Sequence, residues 1–218
     1  MKLTHHGHSC IELDARGVRV LFDPGTFSSF DDVSGVDAIV VTHQHPDHLD
    51  PDAVAGLVER NPDAAWFAEP QTADLLAGQG VDATVTKAGA TYDVKGLTLE
   101  GVGSTHAEIH PYIDRVGNVG IVVSADGEPR VFHPGDALEG RPADVDVLLT
   151  PIAAPWSSVK ETIAFVRAVQ PKHVVPIHDK IIAPAARGIF VTHVADHGLD
   201  GGVDLIDAPV GGNVELPA

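Results

Sequence analysis

The sequence predicts an α/β protein of the α+β type: a four-layer αββα sandwich, two mixed β-sheets covered by outer helices. Three observations predict it. Strand-like and helix-like segments alternate along most of the chain. Extra β-hairpins interrupt the alternation, so the sheets are mixed rather than purely parallel. Several strand candidates are almost unbroken apolar runs, the pattern of strands covered on both faces.

The elements follow in order. "IELDARGVRVLF" reads as two strands, Ile11–Asp14 and Val18–Phe22, around the turn "ARG", and "DPG" at Asp23–Gly25 ends the second. "VDAIVVT" (Val36–Thr42) is a buried strand. The next helix is predicted to open with Asp50 as N-cap and Pro51 at its first position. "AAWFA" (Ala64–Ala68) is a strand, "TADLLAG" a short helix and "VDATVT" a strand. "TYDVKGLTLEGV" pairs two strands around Lys95–Gly96, and "NVGIVVSADGEPRVFH" folds into a hairpin on "ADGE". Val145–Thr150 is a buried strand. The helix "SVKETIAFVRAVQ" opens on a capping box, Ser158 to Glu161. The strand "KHVVPIH", the helix "AARGIFVTHVADHG" and a tail that adds an edge strand complete the chain.

The length of 218 residues is ample for one core, and no linker or repeat divides it, so residues 1–218 are read as a single domain. A composition that is 44% hydrophobic with 22 Gly and 16 Pro is that of a globular, loop-rich chain. The formal net charge is -17, which disfavours nucleic acid and anionic membranes as partners. Cys10 is the lone cysteine, so an intramolecular disulfide and cysteine-rich metal sites are excluded. No apolar stretch has the look of a signal peptide or a membrane span, and the expected location is the cytoplasm. A homo-oligomer is compatible with all of this.

"THQHPDHLD", residues 42–50, packs three histidines and two aspartates behind a buried strand. His43 and His45 are two apart at the strand end, so both side chains can point the same way. Asp47 and His48 come from the next bend, beyond Pro46. The segment can offer two imidazoles to one cation and a carboxylate plus an imidazole to a second; nitrogen and oxygen ligands suit Zn, and also Mn or Fe. H-x-H-x-D-H would arise by chance in a chain of this composition only ~0.005 times. Three more polar residues end apolar runs, where loops carry function on rigid elements. They are His106 in "VGSTHAEIHP", Asp136 in "FHPGD" and His178 in "VVPIHD".

This order of residues, with "GHSCIEL...RVLFDP" at the start and "LLTPI" later, resembles the metallo-β-lactamase-fold superfamily. Within it, the chain is similar to the branch of metal-dependent hydrolases related to L-ascorbate-6-phosphate lactonase and N-acyl-phosphatidylethanolamine phospholipase D. The resemblance runs from about residue 3 to about residue 180. It implies that His43, His45 and His106 hold a first metal and that Asp47, His48 and His178 hold a second. Asp136 and a hydroxide would bridge them. His110 competes with His106 for the third position of the first site; His106 is preferred because it follows the strand sooner and His110 precedes Pro111 in an extended loop.

Asp47 and His8 are the candidate catalytic side chains. Asp23 is expected to orient a ligand imidazole by accepting its other N–H. His133 is expected to pack behind Asp136, and Cys10 to be a core thiol. His5, His6 and His173 are read as structural or surface residues, and the pair His193 and His197 as a solvated helix face. Tyr112, Arg115, Trp156 and Lys180 are candidate pocket residues, with Arg115 or Lys180 available to a substrate phosphate or carboxylate. The expected activity is hydrolysis of an ester, lactone, amide or phosphodiester of a small substrate by a metal-bridged hydroxide. The alternatives are a di-iron redox protein of the same fold served by a separate flavoprotein, and a nuclease of the same fold.

Overall fold

The computed structural model describes residues 1–217. The first half of the chain runs β1 (Lys2–Gly7), β2 (Cys10–Ala15), β3 (Val18–Phe22), β4 (Ala38–Val41), α1 (Val54–Arg60), β5 (Ala65–Ala68), α2 (Pro70–Gly78) and β6 (Ala83–Val85). The second half runs β7 (Thr91–Val94), β8 (Leu97–Val102), β9 (Gly120–Ser124), β10 (Val131–His133), β11 (Val147–Pro151), α3 (Val159–Val169), β12 (His173–Ile177) and α4 (Pro184–His197). β13 (Asp204–Leu205) and β14 (Asn213–Glu215) close the chain.

The chain makes two sheets of seven strands, ordered β14-β1-β2-β3-β4-β5-β6 and β13-β12-β11-β10-β9-β8-β7. The two are built alike. Each begins with antiparallel neighbours (β1·β2·β3; β7·β8·β9·β10) and continues in parallel (β3·β4·β5·β6; β10·β11·β12·β13). The tail β14 returns to pair with β1 of the first sheet.

Strand periodicity explains the layers. Along β4, Ala38 and Val40 face the other sheet while Ile39 and Val41 face α1 and α2. Along β11, Val147 and Leu149 face inward while Leu148 meets α3 and α4. Both faces of each strand are buried, which is why these segments read as unbroken apolar runs. The architecture is the expected αββα sandwich.

Three details differ from the sequence reading. The segment Lys2–Gly7 is a strand that was not expected; its buried positions are Leu3, His5 and Gly7, so a histidine and a glycine stand where the pattern wants apolar residues. His5 is satisfied in place by the Gly7 N–H, which donates to its Nδ1 at 3.0 Å. The helix after the histidine loop begins a turn later than expected, with Ala53 rather than Asp50 as N-cap. Asp50 instead accepts from the Asp52 N–H at 3.0 Å, a local turn that competes with helix initiation. α2 starts at Pro70, with the Glu69 carboxylate accepting from the N–H groups of Gln71 and Thr72. Among the described residues, no helix is long and apolar enough to cross a membrane.

Candidate metal centre

Loops at one end of both sheets converge on a cluster of histidines and aspartates. Two groups of four can each offer one ligand atom per residue, the atoms all within 4.8 Å of one another. The first is His43, His45, His106 and Asp136; the second is His8, Asp47, His48 and His178. The residues singled out in the sequence are therefore brought together, and His8 joins the second group. Asp136 stands between the groups, with Oδ1 3.1 Å from His48 Nε2 and Oδ2 3.4 Å from His106 Nε2 and 3.2 Å from His178 Nε2. His110 is exposed and accepts from the Tyr112 N–H, away from both groups.

The imidazoles are oriented from behind. His48 Nδ1 donates to Asp23 Oδ2 at 2.7 Å. His106 Nδ1 donates to the Ala107 carbonyl and His178 Nδ1 to the Ala153 carbonyl, both at 2.6 Å. Thr42 gives its hydroxyl proton to Asp23 at 2.8 Å and so accepts from His43 Nδ1 at 3.1 Å. Each ring thus keeps its proton on Nδ1 and turns the Nε2 lone pair into the cluster. There, His48 Nε2, His106 Nε2, His178 Nε2 and Asp136 Oδ1 are buried without a hydrogen-bond partner. Buried, unpaired polar atoms are costly, and four converging on one point fit a cation.

Electrostatics agree. Burial works against charge on His48 and His178, but Asp136, with Asp23 beside the first and Asp47 beside the second, outweighs it. The pKa of His48 is pushed well above the usual imidazole value and that of His178 to about 9. Burial likewise works against the Asp136 carboxylate, yet His48 and His178 hold it well below its usual range. His43 lies deeper among other imidazoles, and burial pushes it well down. The carboxylates demand positive charge at this point, and without a cation protons supply it.

Main-chain geometry brings the ligand loops together. His8, Asp23 and His178 all have positive φ (52°, 45° and 57°), a sparsely populated region for residues with a Cβ. Gly25 lets the loop after β3 touch the histidine loop: a Cβ there would lie 1.9 Å from the Asp47 carbonyl oxygen. Gly135 (φ 62°) brings Asp136 against Asn118, whose Oδ1 would be 2.3 Å from an added Cβ. Asn118 and Thr42 were not singled out in the sequence. Asn118 Oδ1 accepts from the Asp136 N–H at 2.9 Å, and its Nδ2 donates to the Pro134 carbonyl at 2.9 Å. Its partners lie well over ten residues away, so no local pattern announces it.

The other candidates sort cleanly. Trp156 donates its indole N–H to Asp136 Oδ2 at 3.0 Å, so it acts on the cluster itself. Arg115 is not free for a substrate anion: its Nε and Nη2 both donate to the His106 carbonyl, at 2.8 and 2.6 Å. Tyr112 is 93% exposed. His133 uses both nitrogens on main chain, Ser9 O and Gly135 N, and stacks on Phe22. Cys10 is buried among apolar side chains, and burial raises its thiol pKa well above the usual value.

The family model described as the beta-lactamase superfamily domain matches residues 2–178. The chain belongs to the metallo-β-lactamase superfamily. It is 32% identical over 196 residues to a UPF0173 metal-dependent hydrolase of Anoxybacillus flavithermus, covering 82% of this chain and 85% of that one. It is 45% identical over 192 residues to Protein Rv0786c of Mycobacterium tuberculosis, covering 87% and 89%. Among solved structures, the superfamily fold is shared with the metallo hydrolase Igni18 of Ignicoccus hospitalis (TM-score 0.74, 21% identity, covering 98% and 97%). The diiron β-hydroxylase CmlA of Streptomyces venezuelae also shares it (TM-score 0.75, 16% identity, covering 99% of this chain and 54% of that one).

Proposed function

We propose that the chain, as a single domain over residues 1–218, is a dinuclear metal-dependent hydrolase acting on an ester, lactone, amide or phosphodiester of a small substrate. The observation that carries this reading is the set of buried, unpartnered atoms at the cluster: three Nε2 lone pairs and one carboxylate oxygen. In this reading His43, His45 and His106 hold one divalent cation, Asp47, His48 and His178 the other, and Asp136 lies between them. Zinc suits the nitrogen-rich donor set best, with manganese or iron as alternatives. Two such cations, when bound, lower the pKa of a shared water toward neutrality and stabilise the oxyanion that forms on attack.

The protein's own groups do the rest. Asp23 and the carbonyls of Ala107 and Ala153 fix the tautomers of His48, His106 and His178. His8 accepts the Lys180 N–H at Nδ1, over 3.4 Å, so its proton sits on Nε2 and is donated to Asp47 Oδ2 at 3.2 Å. Asp47 is the most open carboxylate of the cluster, its side chain 23% exposed. Its Oδ2 would take up the proton lost by the attacking water and pass it to the leaving group, with His8 holding that oxygen in position.

The test is metal content with activity. Protein reconstituted separately with Zn, Mn and Fe is screened over ester, lactone, amide and phosphodiester substrates. The expected wild type binds about two ions per chain, and His45→Ala and Asp136→Ala lose both metal and turnover. Variants that keep full metal content and full activity overturn the ligand assignment. A mixed-valence signal in the iron form together with redox turnover would favour the di-iron alternative. The charge of -17 weighs against a nuclease and, with the lone Cys10, supports work in the cytoplasm on a small molecule.

A further inference from the structure

A trough of about 790 Å³ opens directly beside the second group of ligands, with Asp47 and His178 in its lining. That size lies within the range of small-molecule sites, about 300–1,000 Å³. Its lining is largely apolar, with Phe27, Pro46, Ile181, Ile182, Phe190 and the Ala153–Pro155 loop. Phe27 packs edge-on against the ring of His8, ring centroids 5.3 Å apart, so the wall is continuous with the cluster. Phe27 and Ile181 remain 42% and 48% exposed, a large apolar surface to leave in water beside a reaction centre.

Two absences of charge decide what the trough can take. Among the described residues, its only ionisable lining groups are Asp47 and His178, both already committed to the cluster. Arg187, on α4 between the lining residues Ala183 and Phe190, is held by Asp179 at 2.6 Å and by both oxygens of Asp207 at 2.7 and 2.9 Å. Lys180 is exposed and outside the lining, so an anionic arm would find no counter-charge in the wall itself, on a protein of net charge -17. Two hydroxyls line the trough: Thr26 is exposed, whereas Ser157 Oγ is buried without a partner.

We propose that this trough binds the apolar arm of a neutral substrate, an ester, lactone or amide carrying an alkyl or aryl group of about 6–10 carbons. Ser157 Oγ is its specificity-determining hydrogen-bond donor to an uncharged oxygen. The proposal rests on the hydrolase reading for the bond that is cleaved but not for the binding of the arm.

Two measurements keep those failures apart. The first is calorimetric titration of the metal-free protein with octanamide, a neutral probe that needs no turnover. Saturable binding with a negative heat-capacity change is expected, weakened at least about tenfold in Ile181→Asp. The second is a series of p-nitrophenyl esters, acetate to octanoate, with the metal-loaded protein. We expect kcat/KM to rise about two- to fourfold per methylene, with a flattened slope in Ile181→Asp and Phe27→Ser. Ser157→Ala should weaken octanamide about threefold or more and leave binding of octane-sized hydrocarbon unaltered. Octanamide binding without turnover of any substrate class sinks the hydrolase reading and leaves the trough standing. A flat ester series, no octanamide binding, or a preference for phosphorylated over neutral substrates overturns the trough proposal, whatever the turnover.

Discussion

The two sheets have the same strand pattern, yet they contribute to the cluster in opposite ways. The first sheet delivers His43, His45, Asp47 and His48 from one loop after β4, with His8 as an outlier from the β1–β2 turn. The second sheet delivers one residue per loop: His106 after β8, Asp136 after β10 and His178 after β12. The means of orientation differ too. His48 and His43 of the first sheet are held through side chains, by Asp23 directly and by Thr42. His106 and His178 of the second are held by main-chain carbonyls. One half is compact but depends on replaceable side chains. The other is dispersed; the carbonyls that hold its two histidines cannot be deleted by a point mutation, and only Asp136 leans on side chains, those of Asn118 and Trp156.

The largest expected effect lies where the halves meet. Asp136 is the one residue whose oxygens face imidazoles of both groups. Asp136→Ala should therefore lower metal content at both positions and cut kcat/KM by at least about 10³-fold, about 4 kcal/mol. His45→Ala should remove metal mainly from the first position and cost less. Metal analysis of the two variants under equal loading separates them; equal losses would mean that Asp136 does not couple the halves.

The sheets should be equal where they only pack. Leu13 of β2 and Leu149 of β11 are both fully buried in the core between the sheets. Leu13→Ala and Leu149→Ala should each destabilise by about 3 kcal/mol in urea unfolding, with m-values unchanged. A marked inequality, or two separate transitions, would show that one sheet unfolds without the other.

The same asymmetry governed how far the site was legible. The first sheet's candidate ligands are contiguous apart from His8, and the rarity of H-x-H-x-D-H made them stand out from the sequence. His106, Asp136 and His178 could be found singly because each ends an apolar strand. Residue pattern preferred His106 to His110 without deciding between them, since both lie within one loop; in the structure His106 is buried and His110 exposed. Asn118 and Trp156 could not be given their roles, because each acts on Asp136 across some twenty residues of chain. In the fold, strands whose two faces are both apolar were legible to within a few residues. β1 was not, since His5 and Gly7 occupy its inward positions and are satisfied by contacts invisible to periodicity. Arg115 shows the opposite error: a cation near a site suggested a substrate anion, but its guanidinium is spent on the His106 carbonyl.

Asp23→Asn tests the difference in support with a smaller change. Asparagine tolerates the positive φ of this position, so the backbone is spared, while the charge and one acceptor oxygen are lost. Metal affinity should fall about 10–100-fold, chiefly at the position served by His48. A competition titration with a chelator measures it. The histidines of the second sheet offer no equivalent variant, because main-chain carbonyls hold them, so a loss spread evenly over both positions would show that the halves are not independently supported.

The smallest effect concerns β2 of the first sheet, away from the cluster. Glu12 of β2 is buried beside Arg19, whose Nε and Nη2 donate to it at 2.8 and 3.0 Å, and its Oε2 lies 3.5 Å from His6 Nε2. Burial pushes the carboxyl pKa up, but His6 and Arg19 outweigh it and lower it from the ordinary 4.5 to about 2. A depressed carboxyl pKa means that the folded state holds fewer protons than the unfolded one across this interval. The stabilisation is complete above pH 4.5 and is lost as the pH falls through about 2. Because the pair is partly open to water, its contribution is about 1 kcal/mol. Glu12→Gln should lower stability by that amount at pH 6 and leave it little changed at pH 2, read by urea midpoints across the interval. A constant deficit at both pH values would assign the loss to packing in β2 rather than to the charge on Glu12.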